Sequence, residues 1–464
     1  MSSDSDDETL TYPVQVDSDG RFLSHNVRFS SPRLKPGSRR KRDASTTRRV
    51  YYKLAVENRE LTVNLSRNHK LVRPNFIIER IRDAKLGKTM PRSCHFRGHV
   101  TGHPHSSVAI STCNGLTGFI RFNDTEYLIE PTGQVARTVE GARKMQHRIY
   151  KRDAGGREAR TASWQTPNSR HTKRQYKRNL RARQRWERRR SKASPFRRSK
   201  RSFSLEHWVE MMLVVDSKMV HYHGKNIETY VLTIVNMVSE LFHDVSIGNA
   251  LHISLIRLVL LEGDEKGLKI TQHAEKTLDS FCRWAKRMNP KNDNHASHHD
   301  VAVLLTRRNI CSRSNKSCET LGLAHVAGMC QSHRSCNVNQ DTGLSLAFTV
   351  AHELGHNFAM HHDGQFNSCK PDETSPRVMT PHLTSNNLPM QWSTCSREYI
   401  TRFLDRNWGF CLMDPPSPSL TPFPYPSELP GVLYGADHQC KLMFGPKSRH
   451  CKGLDVSHVG ITLG

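Results

Sequence analysis

The stretch His352-Glu353-Leu354-Gly355-His356-Asn357-Phe358-Ala359-Met360-His361-His362-Asp363 constrains this chain more than any other feature of its sequence. On a helix, residues four apart share a face, so His352 and His356 can turn ring nitrogens toward one point with Glu353 beside them. His362 supplies a third imidazole. Such a set suits a catalytic zinc, which keeps one position open for water and lowers that water's pKa to roughly 7. Glu353 is then positioned as a general base. The pattern predicts metal-assisted hydrolysis of peptide bonds.

The flanking residues predict how this stretch sits. If Gly343 to Phe358 is helical, Ala347, Val350, Ala351, Leu354 and Phe358 fall on one side and Ser345, Thr349, His352 and His356 on the other. One side would pack into a core and the other line a cleft. Apolar runs at Trp208 to Val215, Leu251 to Leu261 and Asp300 to Leu305 read as strands, and Ile227 to Phe242 as an amphipathic helix. Leu321 to Met329 reads as an edge strand. The expected class is α/β, with a mixed, largely parallel sheet and an active-site helix. Short β-like runs upstream, such as Val50 to Val56 and Gly118 to Phe122, predict a β-rich region before it. Together with Asp363 and the later Met379, in Arg377-Val378-Met379-Thr380, the histidine spacing is similar to the metzincin pattern of zinc peptidases.

From about Trp208 to Asp414 the chain resembles the peptidase domain of the ADAMTS family, disintegrin-like metalloproteinases with thrombospondin motifs. The resemblance rests on Cys318-Glu319-Thr320-Leu321-Gly322-Leu323, on Leu346 to Glu353 and on Cys395-Ser396-Arg397-Glu398-Tyr399-Ile400-Thr401-Arg402-Phe403-Leu404-Asp405-Arg406. It is closest to the branch of members seven and twelve. It extends back through a propeptide-like region beginning near Tyr12 and forward into Leu429-Pro430-Gly431-Val432-Leu433-Tyr434, which resembles the start of a disintegrin-like domain. The implied organisation is a propeptide (1–150), a basic linker ending in a convertase site (151–201), a zinc peptidase domain (202–415), and a linker with an incomplete disintegrin-like region (416–464).

The resemblance also implies residue roles. Met379 would form the Met-turn beneath the metal. Substrate would pair with the edge strand at Gly322, Leu323 and Ala324. Disulfides would join Cys282–Cys336, Cys311–Cys318, Cys330–Cys411 and Cys369–Cys395, with Cys94 and Cys113 bridged in the propeptide. A structural calcium ion would use Glu210, Asp300, the Cys411 carbonyl and Asp414, with Asn309 where the family has another Asp. Members of the family usually carry Gly or Asn where this chain has Ala359, the residue at which the helix must end for His362 to swing back. A left-handed Ala there costs roughly 1–2 kcal/mol. The tract at His295, His298 and His299 is polar and reads as a solvated loop.

Composition sets the compartment. Twelve cysteines in even-numbered groups suggest disulfides formed in an oxidising environment. Sequons at Asn64, Asn123 and Asn315 offer glycosylation acceptors. The expected location is secreted, in the extracellular matrix, although the acidic start at Met1 to Glu8 shows no signal peptide. No apolar run reaches the length of a membrane span. Between Lys151 and Arg201, 20 Lys or Arg face 3 Asp or Glu, most of the chain's net charge of +27. The block ends in Arg198-Ser199-Lys200-Arg201, which resembles a furin-like convertase site with cleavage after Arg201; Arg39-Arg40-Lys41-Arg42 is an earlier candidate. A solvated hinge, with sulfated glycosaminoglycans as polyanionic partners, is favoured over a nucleic-acid surface because stacking aromatics are few.

The expected activity is that of a secreted zymogen whose peptidase cuts extracellular-matrix proteins or proteoglycans. With no unpaired cysteine between Cys113 and Cys282 to cap the metal, latency is expected from a folded propeptide lying across the cleft. Two alternatives remain open: a catalytically weak binding or decoy fragment, and a basic glycosaminoglycan-binding protein.

Overall fold

The computed structural model describes residues 8–28, 49–151 and 205–414, short stretches within them excepted, together with residues 437, 448 and 449. Both convertase-like sites, the basic block, Asn315, the Leu429 to Tyr434 motif, Cys440 and Cys451 lie outside the described residues. The chain divides into one compact unit of residues 1–42 and 46–417 and a second of 43–45 and 418–464.

The described residues of the first part of the chain are all β: β1 (Glu8–Thr11), β2 (Val14–Val16), β3 (Phe22–Ser24), β4 (Val50–Val56), β5 (Arg59–Arg67), β6 (Val72–Arg82), β7 (Lys85–Thr89), β8 (His95–Val100), β9 (His103–Ser111), β10 (Thr117–Phe122), β11 (Thr125–Arg137) and β12 (Arg143–Lys151). Ten of these strands form one antiparallel sheet in the order β1-β12-β11-β10-β9-β8-β5-β4-β2-β3. It curls: the Ala55 N–H of β4 donates to Thr11 Oγ1 at the end of β1 at 3.0 Å. In β4 the burial alternates strictly, so Val50, Tyr52, Leu54 and Val56 line the interior, as a strand with one solvated face requires. Cys94–Cys113 ties the start of β8 to the end of β9.

The second part alternates strand and helix: β13 (His207–Val215), α1 (Ser217–His223), α2 (Ile227–His243), β14 (Leu251–Leu261), α3 (Ala274–Met288), β15 (Val301–Thr306), β16 (Gly322–Ala324), β17 (Cys336–Gln340), α4 (Leu346–Asn357) and α5 (Thr394–Asp405). β13, β14 and β15 are buried along their whole length. Helices explain that: α2, α4 and α5 share one core with Leu213, Leu255 and Val303, whereas α3 packs with Met212, Val214 and Leu304 on the opposite face. Among the described residues no helix is long and apolar enough to cross a membrane.

The sheet order is β16-β17-β15-β13-β14-β6-β7, parallel except for the antiparallel pairs β16–β17 and β6–β7 at its two ends. Two upstream strands therefore complete the peptidase sheet. β6 adds to the free edge of β14, and Leu71, Phe76, Ile78 and Phe119 join the α2–α4 core. Buried polar pairs close the seam. Asn68 Nδ2 donates to Asn236 Oδ1 at 2.9 Å, Asn236 Nδ2 to the Phe96 carbonyl at 2.9 Å, and Arg257 Nε to Glu79 Oε2 at 2.9 Å. Among the described upstream strands, β6 and β7 extend the sheet at the end opposite β16, and β8, β9 and β10 pack on α2, where Arg121 Nη2 donates to the Met390 carbonyl at 3.1 Å. The edge of β14 is long and wholly apolar on its inner face, and β6 offers a matching strand.

The edge strand is also shorter than the run Leu321 to Met329. After Ala324 the chain turns to cap α4, with the Ala327 N–H donating to the His356 carbonyl at 2.9 Å and the Met329 N–H to the Asn357 carbonyl at 3.1 Å. Carbonyls left open at the helix end outcompete the sheet for these donors.

Candidate metal centre

α4 brings His352, Glu353 and His356 to one place, and the turn that follows brings back His362. Ala359 adopts φ 73°, and its N–H bonds the His356 carbonyl at 2.9 Å. Only this left-handed step lets the chain reverse within so few residues. His362 Nε2 then lies 3.0 Å from His352 Nε2 and 3.1 Å from His356 Nε2. Its neighbour turns the other way: the His361 ring meets Phe366 and Tyr399 edge-on at 5.6 and 5.4 Å.

The other ring nitrogens decide what the cluster can hold. His352 Nδ1 faces the Val378 carbonyl at 2.6 Å and His356 Nδ1 the Met360 carbonyl at 2.9 Å, so each must carry its proton there. Both Nε2 atoms are left as bare lone pairs aimed at a common point. Burial also holds the imidazoles neutral, with His352 and His362 pushed well below the usual value and His356 down to about 4. Lone pairs this close repel one another unless a cation sits among them. A zinc ion about 2.0–2.1 Å from each nitrogen fits the donor type and spacing.

Glu353 is 2% exposed, and its Oε2 has no hydrogen-bond partner. Burial raises its carboxyl pKa well above the ordinary range. β16 runs directly against it: a Cβ built on Gly322 would lie 2.5 Å from Glu353 Oε1. Met379 sits under the helix, its sulfur 2.6 Å from where a Gly355 Cβ would be. The Asp363 N–H bonds the Met379 carbonyl at 2.8 Å, and Asp363 Oδ1 accepts from Ser393 Oγ at 2.7 Å. Ser393 caps α5. Ser345, Thr349 and His352, expected on one side of the helix, are all buried.

Three asparagines stand out that the sequence reading did not single out. Asn339 Nδ2 donates to Asn337 Oδ1 at 2.8 Å, Asn337 Nδ2 to Asn357 Oδ1 at 2.9 Å, and Asn357 Nδ2 to the His325 carbonyl at 3.1 Å. All three are 0% exposed. The chain of amides joins β17, the loop after β16 and the end of α4, which makes it a brace for the edge strand and the third imidazole. The sequence signal was the polar alternation in Asn337-Val338-Asn339 within a buried strand.

The disulfides Cys282–Cys336, Cys311–Cys318, Cys330–Cys411 and Cys369–Cys395 are closed. Away from the histidines, Glu210 and Asp300 pair through their backbones and carboxylate, with the Glu210 N–H on Asp300 Oδ2 at 2.9 Å. Asp414 follows the short turn Phe410–Leu412, which carries Cys411. Asn309 does not join this group. It accepts from Gln340 Nε2 at 3.4 Å, beyond the C-terminal end of β15, whereas Asp300 precedes its N-terminal end. The six residues of β15 separate them, about 20 Å of strand. His299 is likewise not solvated. It is 4% exposed, because Asn289 grips its backbone through the His299 carbonyl at 2.7 Å and N–H at 3.1 Å.

Comparison with known proteins agrees with the site. Residues 207–416 match the Reprolysin (M12B) family zinc metalloprotease, and residues 9–101 the Reprolysin family propeptide. The chain is 47% identical over 457 residues to A disintegrin and metalloproteinase with thrombospondin motifs 7 of Homo sapiens, covering 96% of this chain and 26% of that protein. It is 43% identical over 473 residues to A disintegrin and metalloproteinase with thrombospondin motifs 12 of Mus musculus, covering 98% and 28%. The chain thus spans about a quarter of the length of these curated relatives.

Proposed function

We propose that this chain, whose residues 207–416 belong to the reprolysin family of zinc metalloproteases, is the zymogen of a secreted endopeptidase that cuts extracellular-matrix proteins or proteoglycans. The convergence of three Nε2 atoms beside a buried carboxylate and a sheet edge carries this reading. In it, His352, His356 and His362 hold the zinc. When bound, the metal supplies Lewis acidity toward the scissile carbonyl and toward water.

The chain's own residues do the rest. An extended substrate adds to β16 as a further strand, pairing with the backbone of Gly322, Leu323 and Ala324. Gly322 lets that strand pass within contact of Glu353. Glu353 takes a proton from the attacking water and hands it to the leaving amine, and its dry setting favours the protonated intermediate state of that shuttle. The carbonyls of Val378 and Met360 hold the ligand rings in their tautomer and orientation. Met379 is the floor.

Secretion accounts for the five disulfides among the described residues. A furin-like convertase cutting after Arg201 would separate the two parts, and sulfated glycosaminoglycans would bind the basic block. Calcium is proposed at Glu210, Asp300, Asp414 and the Cys411 carbonyl. The fit lies in Asp300 Oδ1, buried and without a hydrogen-bond partner. Burial first, and then the neighbouring acids, raise the pKa of Glu210 to about 7 and that of Asp300 well above normal. A hard divalent cation relieves both effects.

The test is Glu353→Gln in the cut chain. Elemental analysis should find zinc retained, while hydrolysis of a quenched peptide falls by about 10²–10⁴-fold. Near-normal turnover would remove the proton shuttle. Loss of zinc would reassign Glu353 to metal retention.

A further inference from the structure

β6 leaves its ladder where it meets the acidic cluster. Val72 is registered with Leu255 and the next pair is Ile77 with Arg257, so five steps along β6 face two along β14. The bulge contains Pro74, which has no N–H to give to a ladder. It also contains Arg73.

The Arg73 guanidinium is ion-paired with Glu210, its Nη2 lies 3.8 Å from Asp414 Oδ2, and it donates to the Asp414 carbonyl at 3.5 Å. Arg73 is thus a propeptide residue seated among carboxylates of the peptidase. It fits them incompletely. Arg73 Nε is buried without a hydrogen-bond partner, and so is Asp300 Oδ1. One guanidinium brings a single positive charge and only donors, where Glu210, Asp300, Asp414 and the neighbouring Asp293 present four carboxylates. A divalent cation would bring twice the charge and could take the Asp300 oxygen that Arg73 leaves alone.

We infer that Arg73 is a built-in competitor for this cation: while the propeptide is docked, its guanidinium fills part of the cluster of Glu210, Asp300 and Asp414, so the bound cation and the docked propeptide oppose one another. This rests on the calcium reading proposed above. By linkage, the factor by which the docked propeptide weakens calcium binding is the factor by which calcium weakens docking. The covalent hinge opposes release by keeping the propeptide at high effective concentration. Once it is cut, calcium becomes the agent that separates the parts and takes the vacated carboxylates.

The experiment is calcium titration of the uncut full chain by calorimetry, comparing the wild type with Arg73→Gln and Arg73→Lys. Arg73→Gln should bind calcium at one additional or tighter site by about tenfold or more, within the range usual for coupled sites. Adding Glu210→Gln should abolish that gain, and Arg73→Lys should stay near the wild type. A second measurement needs no variant: after cutting at Arg201, size-exclusion chromatography should show calcium increasing propeptide release from the wild type, and magnesium doing so less. Equal calcium affinity with Arg or Gln at 73, or release indifferent to calcium in a chain that binds it through Glu210, overturns the competition and leaves the calcium site standing. Absence of Glu210-dependent calcium binding in every form, cut chain included, overturns the inference and the calcium reading together.

Discussion

Ala359 holds φ at 73° with a methyl group in the way, at the step where α4 ends and the chain turns back toward the other two imidazoles. Glycine would relieve strain of about 1–2 kcal/mol and lose about 0.5–1 kcal/mol through a freer unfolded chain. Ala359→Gly should therefore raise stability by about 0.5–1 kcal/mol, read as a higher denaturation midpoint with zinc content unchanged. A lower midpoint would mean that the methyl's packing against the core outweighs its strain. The departure at this position was legible in the sequence because backbone handedness is a local property. The choice of His362 over His361 was also legible in the spacing, and the structure adds what holds His361 aside, the nearby Phe366 and the distant Tyr399.

β16 is three residues long, yet it binds the centre to the sheet. Its Gly322 is required by contact rather than by conformation: an added Cβ would sit 2.5 Å from Glu353 Oε1 and 2.7 Å from Glu353 Cγ. Gly322→Ala should move either the strand or the carboxylate, so peptide hydrolysis should fall by about tenfold or more while zinc stays bound, since even small misplacements of reacting groups are costly. Unchanged kcat and KM would show that β16 yields at no expense to catalysis. The periodicity of α4 was readable, as was the parallel core of β13, β14 and β15, because burial on both faces leaves unbroken apolar runs. The end of β16 was not. Leu321 to Met329 looks like a strand throughout, and only the open carbonyls at the end of α4 draw its second half away.

At the scale of the whole molecule, the upstream region and the peptidase share a sheet, a core and a seam of buried polar groups. Several of these are histidines. His95 bonds Ser111 Oγ at 2.6 Å, Ser111 in turn meets Thr233 of α2 at 2.9 Å, and burial lowers the His95 pKa to about 4. His252, beside His243 and Lys70, is also lowered to about 4, first by burial and then by the Lys70 charge. A folded pKa below the unfolded value of about 6.5 means that the unfolded chain binds the extra proton. Stability is then complete above about 6.5 and is lost as pH falls toward 4, by about 2 kcal/mol between pH 7 and pH 5 for His95 alone. Chemical denaturation of the uncut chain at the two pH values should show this loss, and His95→Gln should reduce it. A denaturation midpoint independent of pH would rule out neutral burial at the seam.

By itself the sequence determined the chemistry of the centre and the class of the domain. Histidine spacing, strand runs and helix periodicity are properties of neighbouring residues, and so were readable along the chain. Tertiary structure alone decided which residues share a place across long separations: β6 beside β14, the asparagine brace from Asn339 to Asn357, and Arg73 among Glu210 and Asp414. It also removed Asn309 from the calcium group, because the length of β15 lies between that residue and Asp300. The physical reason is that an unpaired sheet edge and an unbalanced cluster of buried charge must each be completed by something. Local sequence shows the need, and only the fold determines which distant residue meets it.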